Sequence, residues 1–401
     1  TLLTAGAGTY PWCAAQAFKP GDLMDGIPLA GLQITAKSLW PDGSLKIGIL
    51  AGVLTAAGTS SSVTLARGEP PLTAWLTTAD LKATGIAATI DAGTFGSAAW
   101  AASSSDWDSP FITWAEGPLM SSWIYRKQIG SDAHLTAWME VRLFDVSGTK
   151  HVEVLPWVEN GYLSVASPDG KAETYSFTLG GTSRFSASLP MYHHTRVPLI
   201  SGSTLSYWLG TDKTVTPKHD AAYLAQTGLV QPYMSSVART YPALPSNGGV
   251  SSSYTPGEVF QSGTNTIHPT VMGAAGGSDS IGAQPAWEAI ALVDSSALGF
   301  AQMLRESFRF GHYQIHYRDE ATNRPIKFSS RSGVQIRPGD TLANVGDIED
   351  QGLTYTPARR PRPTPARATT GRPATSRPRR CWPTSPRAAS GSWKSASTSA
   401  R

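Results

Sequence analysis

Residues 133–144 read AHLTAWMEVRLF, and the alternation inside this run decides the fold class. Side chains alternate across an extended strand. Leu135, Ala137, Met139, Val141 and Leu143 therefore share one side, and His134, Thr136, Trp138, Glu140 and Arg142 the other. The same period recurs in KHVEVLPWV (150–158), ETYSFTLGG (173–181) and SLKIGIL (44–50), where it puts Leu45, Ile47 and Ile49 on one face. Gly, Pro and Asp fall at the breaks. This is the pattern of half-buried strands and turns in antiparallel β structure. WPDGS (40–44) is a hairpin signal, with Pro41 presetting φ and Gly43 suited to the left-handed position.

The pattern changes after about residue 205. PKHDAAYLAQTGL (217–229) predicts a short helix, with Pro217 near its start and Gly228 at its end. A Gly/Ser-rich stretch follows from Pro245 to Pro285, and loops of that length are functional as a rule. PAWEAIALV (285–293) and SSALGFAQMLRESFRFG (295–311) then predict two helices joined by a short turn, an αα-hairpin. In the second helix Ser295 or Ser296 is the N-cap, Leu298, Met303, Leu304 and Phe308 form the apolar stripe, and Gly311 is the stop.

Composition agrees with a turn-rich β protein. Charged residues are 15% of the 401, against about 25% in average soluble chains. Glycine and proline number 39 and 29, and no apolar run approaches the roughly 20 residues of a membrane helix. There are 13 tryptophans, and seven of them (Trp75, Trp100, Trp107, Trp114, Trp123, Trp138 and Trp157) fall in residues 75–157. The net charge of +4 comes from the end of the chain: residues 358–401 hold ten Arg and one Lys with no acid, which leaves −7 for the preceding 357. That Arg/Pro-rich segment has no hydrophobic period and is expected to be disordered. Its composition is that of a GC-rich gene read out of frame; a basic tail with non-specific nucleic-acid affinity, or an ordinary flexible tail, are the alternatives. No specific nucleic acid and no membrane is expected as a partner. Cys13 is the one cysteine before residue 358 and reads as a structural thiol, with no disulfide framework.

The histidines supply the candidate chemistry. FGHYQIHYRDE (310–320) carries His312 and His316, which would lie about 6 Å apart on a helix and about 13 Å apart on a strand. With Gly311 ending the helix, the segment is expected to be extended, so the pair shares no metal. One face then carries His312, Gln314, His316 and Arg318, and the other Tyr313, Ile315 and Tyr317. Such a strip suits either a hydrogen-bonded sheet face or the wall of a sugar-binding cleft. His193 and His194 point to opposite sides if extended, so only one can face a given cleft. His219 and Asp220 open the 218–228 helix, where Asp220 favours the dipole, and His268 sits in the long loop. Asp106 and Asp108 in SSDWDSP have carboxylates to offer calcium but lack the rest of a calcium loop. No cofactor is implied.

The run AFKPGDLMDGIPLAGLQITAKSLWPDGSLKIGIL (17–50) resembles the N-terminal β domain, RIFT-barrel-like, of the exo-rhamnogalacturonan lyase-like (YetA-like) polysaccharide lyases. The resemblance is carried by Phe18, Pro20, Gly21, Leu32, Gln33, Trp40, Pro41, Asp42, Gly43, Ser44 and Leu45, with Lys46 where Arg is more usual. LPWVENGYL, KHDAAYL and IHYRDEATNRPIKFSS are similar to uncharacterised bacterial and phage-encoded proteins with the same opening domain. The resemblance implies a β domain followed by an α/α-hairpin toroid, which with the readings above gives several β and α domains: an N-terminal antiparallel β domain (1–90), a second antiparallel β region (91–205), an incomplete α-helical hairpin domain of toroid type (206–357), and the tail (358–401). It implies a polysaccharide partner and an extracellular or virion-associated location. The activity it implies is β-elimination on uronate-containing, rhamnogalacturonan-type glycans. That reaction needs a base, an enolate-stabilising cation and an acid, for which His316, Tyr317, Arg318, Arg324 and His268 are the candidates. His312, His193, His194, His219, Trp114 and Trp138 are the candidate substrate contacts, the rings combining a flat apolar face with a polar edge. The rival reading is a non-catalytic glycan-binding virion, tail or cell-surface protein.

Overall fold

A computed structural model describes residues 1–163, 170–232, 256, 286–294, 296–312 and 314–327. By contacts the chain divides into two compact units, Thr1–Thr356 and Pro357–Arg401, the second outside the described residues. So the expected tail, most of the 245–285 loop and His268 also lie outside them.

The first strands in chain order are β1 (Leu2–Leu3), β2 (Gly8–Ala17), β3 (Gln33–Leu39), β4 (Leu45–Ala56) and β5 (Ser60–Ser61). There follow β6 (Ala88–Asp91), β7 (Ser97–Trp100), β8 (Ile112–Ala115), β9 (Met120–Gln128), β10 (Leu135–Val146) and β11 (Thr149–Asn160). The last are β12 (Glu173–Leu179), β13 (Thr182–Leu189), β14 (Thr195–Pro198), β15 (Tyr207–Leu209) and β16 (Thr216–Pro217). The helices are α1 (Thr78–Ala83), α2 (Ala221–Gln226), α3 (Ala286–Val293) and α4 (Ala297–Arg309). The described residues are thus mostly antiparallel β sheet with few helices.

The expected run 133–144 becomes β10, the middle of a six-stranded sheet ordered β14-β11-β10-β9-β8, with β15 also on β11. Its apolar face enters the main core as read: Leu135, Ala137, Met139, Val141 and Leu143 pack with Tyr175, Phe177 and Leu179 of β12 and Ile90 of β6. β12 and β6 belong to a second sheet, β13-β12-β6-β7, so two sheets close over one apolar layer. The polar face is also covered. Trp138 is 2% exposed, opposite Trp157 in the β10–β11 register, and the two rings are parallel with centroids 5.9 Å apart.

A third sheet, β2-β4-β3, holds the N-terminal core of Trp12, Phe18, Leu45, Leu50 and Leu54. Here the face assignment changes. Leu45 shares its core with Leu50 and Leu54, while Ile49 packs on the other side with Cys13, Ala51 and Phe144. Register shifts at Ala36/Ser38 and Ser38/Leu39 interrupt the β3–β4 ladder beside Leu45, and each irregularity re-aims side chains. Burial pushes the Cys13 thiol up to about 11, which suits an unreactive structural thiol.

WPDGS is the β3–β4 turn. Gly43 takes φ +82°, Asp42 Oδ1 accepts from the Ser44 amide at 2.9 Å, and Ser44 Oγ accepts from the Gly21 amide at 2.9 Å. The Trp40 indole donates to the Phe18 carbonyl at 2.8 Å. Each conspicuous residue of the motif thus has a structural partner. Gly43→Val should lower stability by about 1–2 kcal/mol, because a β-branched residue is forced to positive φ. Urea unfolding checks this, and a loss below about 0.5 kcal/mol would argue against a strained turn.

Asp220 caps α2, accepting from Ala222 and Tyr223 at 2.9 and 3.1 Å, but Pro217 belongs to β16. The α3–α4 hairpin forms, with the Ser296 hydroxyl accepting from the Leu298 amide at 3.2 Å and Asp294 from the Gly299 amide at 2.6 Å. The buried face of α4 is only in part the expected stripe: Phe308 packs against the main core, while polar residues fill the rest. Gln302, Arg305, Glu306 and Arg309 are buried, and Leu298 is 38% exposed. Burial of these polar groups is tolerated because they are paired: Glu306 with Arg309 and Gln302, and Arg305 with the Ser203 carbonyl at 3.0 Å.

Candidate functional site

Two exposed tryptophans mark a broad groove among the described residues. Trp75 and Trp114 are 63% and 45% exposed, with Met24 and Ile27 exposed nearby. All four line a groove of about 650 Å³ that also carries Asp25, Glu116 and Gln33. Small-ligand pockets run roughly 300–1,000 Å³, so the groove has room for a ligand of that class. Trp114 comes from β8. Lys37 contacts the Trp114 carbonyl, and its ammonium lies 4.1 Å from the indole centroid. Trp75 is anchored through its neighbour, since the Leu76 amide donates to the Gly117 carbonyl at 3.0 Å.

Gln33 joins the β3 wall of the groove to the 116–120 turn. Its amide nitrogen donates to the Met120 and Glu116 carbonyls at 2.7 and 3.3 Å. Its oxygen accepts from the Leu119 and Met120 amides, both at 2.9 Å. The carboxamide occupies the space a side chain at Gly117 would need: a Cβ there would lie 2.2 Å from the amide carbon.

Comparison with protein-family models, curated proteins and solved structures gave no match. What the groove can do follows from its chemistry alone. Its lining holds two carboxylates and no His, Tyr, Arg or Lys. Flat indole faces with a few polar groups suit the apolar faces of sugar rings.

The segment 312–326 is placed elsewhere. His316, Tyr317 and Arg318 line a cavity of about 110 Å³ with Ile315, Pro325 and Ile326. The expected strand is reduced to bridges of Arg318 with Tyr162 and Pro325. His312 lies in a 3-10 turn that continues past Gly311, and it is 1% exposed. Gly311 therefore does not stop the chain's helical course. It provides close approach, since a Cβ there would sit 2.3 Å from the Arg196 carbonyl oxygen. The expected face pairing also fails, with Ile315 58% exposed and Tyr317 7%.

Arg318 is engaged. It makes a two-pronged ion pair with Glu159, donates to the Asn323 carbonyl at 2.6 Å, and lies 4.4 Å from the Trp138 centroid. Arg324 is exposed, 5.3 Å from the Phe111 centroid. His193 and His194 do not face a cleft: they are 4% and 0% exposed. His194 has φ +62°, which breaks the expected opposition and stacks the two imidazoles with centroids 4.0 Å apart. His134 and Tyr317 flank that stack. Trp138, in its buried stack with Trp157, offers no ring face for a sugar to stack on.

His219 lines a second cavity, of about 550 Å³, beside Asp22, Asp220 and Tyr223. Its Nε2 lies 2.7 Å from the Ala15 carbonyl oxygen, and burial lowers its pKa. Asp106 and Asp108 bind lysines instead of converging on a cation: Asp106 pairs with Lys127 at 2.7 Å and Asp108 with Lys82 at 2.6 Å. Among the described residues no group of three or more His, Cys, Asp or Glu is placed to hold a metal. Trp75 and the architectural role of Gln33 escaped the sequence reading, in which nothing separates Trp75 from the buried Trp100 and Trp107.

Proposed function

We propose that the protein binds a glycan chain in the groove of Trp75 and Trp114. The observation that carries this reading is the pair of exposed indoles beside exposed Met24 and Ile27 in a groove of about 650 Å³, since exposed apolar clusters mark binding surfaces. The N-terminal resemblance to polysaccharide lyases supports a sugar ligand. In the same reading α3 and α4 are a hairpin of an α/α toroid, and the protein acts outside the cell or on a virion.

Binding is preferred to elimination. A lyase needs base, acid and cation around a sugar ring, but His316, Tyr317 and Arg318 surround only about 110 Å³, below the usual range of ligand pockets. Arg318 is also tied to Glu159. Isothermal titration of the full chain with rhamnogalacturonan oligosaccharides should show saturable binding. Trp114→Ala should weaken it about tenfold, the loss of roughly 1–1.5 kcal/mol of aromatic contact, at unchanged melting temperature. Absence of binding to any of a panel of oligosaccharides would overturn the reading. Growth of the absorbance of an unsaturated product would replace it with elimination.

A further inference from the structure

One face of the six-stranded sheet carries buried hydrogen-bond donors that have no partner. In register across it lie Pro198, Trp157, Trp138 and Arg126, and in the next row Arg196, Glu159, Thr136 and Gln128. The Arg196 guanidinium is 4.3 Å from the Trp157 centroid, and that of Arg126 is 5.7 Å from the Trp138 centroid. Trp138 and Trp157 are 2% and 5% exposed. Their indole N–H groups, and Nε of Arg126, are sealed from solvent without a hydrogen-bond partner. Buried donors are rarely left so.

The nearby carboxylates are committed elsewhere. Glu159 is held by Arg318. Glu140 is held by Arg142 and accepts from Ser122. Arg126 gives one N–H to the Tyr162 hydroxyl, and Arg196 has no ion pair or hydrogen bond from its side chain among the described residues. Both arginines are half-buried; burial disfavours their protonated forms, the Glu159 carboxylate opposes this at both, and the charge of Arg318 adds to it. Glu159, already paired with Arg318, thus also faces Arg126 and Arg196, and a cluster of three arginines around it leaves positive charge over, where buried charges are normally paired.

We propose that Arg126, Arg196 and the indole N–H groups of Trp138 and Trp157 form a second site, which binds an oxyanion: a carboxylate or a sulfate group. A guanidinium fork fits the paired oxygens of such groups, and the indoles add donors that need no proton exchange. The site is independent of the Trp75/Trp114 groove. A uronic acid would unite the two readings, and a free inorganic anion would separate them.

Isothermal titration of the full chain with sodium sulfate, sodium galacturonate and galactose, at constant ionic strength, tests this. Saturation by either anion and not by galactose is the expected result, with galacturonate the tighter if the source is an acidic sugar. Arg196→Gln should weaken that binding about tenfold or more, the loss of a charge-assisted hydrogen bond, while Trp114→Ala leaves it unchanged. Should Arg196→Gln fail to fold, Trp157→Phe keeps the stacked ring, deletes one N–H, and should weaken the anion in the same sense. If neither anion saturates, or both variants bind as the parent does, the proposal falls. Oligosaccharide binding in the groove, measured with Arg196→Gln, reports separately on the first reading.

Discussion

Arg318→Met should lower the unfolding free energy by about 3–5 kcal/mol, the range for removing one partner of a buried ion pair. Glu159 is 1% exposed at its side chain and Arg318 11%, so the carboxylate left behind loses its two-pronged partner while still largely buried. Arg318 also joins distant parts of the chain. Its backbone N–H donates to the Gly161 carbonyl at 2.8 Å, and the Leu163 amide donates to the Arg318 carbonyl at 3.3 Å. Next to it, the Tyr162 hydroxyl donates to Asn323 Oδ1 at 2.7 Å. The double change Arg318→Met with Glu159→Leu should recover much of the loss, because an apolar pair leaves no orphaned charge. Urea unfolding of the two single variants and the double one measures the coupling. A catalytic Arg318 would behave differently: activity would fall at unchanged stability, and the double change would restore nothing. Stability of Arg318→Met within 1 kcal/mol of the parent would contradict the structural assignment.

The fold was legible where one physical demand acted on the chain at a time. In β10 the main core selects every second residue, so Leu135 to Leu143 announce both the strand and its inward face. The opposite face obeys a second demand that leaves no such trace. Trp138 and Arg142 look solvent-facing in sequence, yet Trp138 is covered by Trp157 of β11 and by Arg318, and Arg142 is half-buried between Glu140 and Glu153. The same reason defeats the reading of α4. A helix that buries Gln302, Arg305, Glu306 and Arg309 while leaving Leu298 exposed hides most of its period, and pairing of those polar groups makes the arrangement affordable. His194 was misplaced by one backbone angle, a left-handed φ at a non-glycine residue, which sequence seldom advertises. The turn at WPDGS was legible because its chemistry is local. The groove was not, because exposure of Trp75 and Trp114 depends on what the rest of the chain leaves uncovered.

Gln33→Leu should cost about 3 kcal/mol of stability and weaken oligosaccharide binding together. Gln33 is 6% exposed, and its carboxamide serves four backbone groups of the 116–120 turn at 2.7–3.3 Å. Leucine fills a similar volume with no polar atom. It leaves two carbonyls and two amides of that turn without partners, at roughly 1–3 kcal/mol for each group that stays buried. Access to water from the groove relieves part of this, so the sum is set nearer the loss of one or two groups. Gly117→Ala attacks the same contact from the other side, because its new methyl group collides with the carboxamide. The two changes should therefore be strongly non-additive, the double variant losing little more than the worse single one. The turn carries Glu116 and follows directly on Trp114, so displacing it moves one wall of the groove. Gln33→Leu should accordingly reduce affinity and stability in parallel, whereas Trp114→Ala reduces affinity alone. Additive losses from Gln33→Leu and Gly117→Ala, or full oligosaccharide affinity in a destabilised Gln33→Leu protein, would detach this glutamine from the groove it is argued to hold in shape.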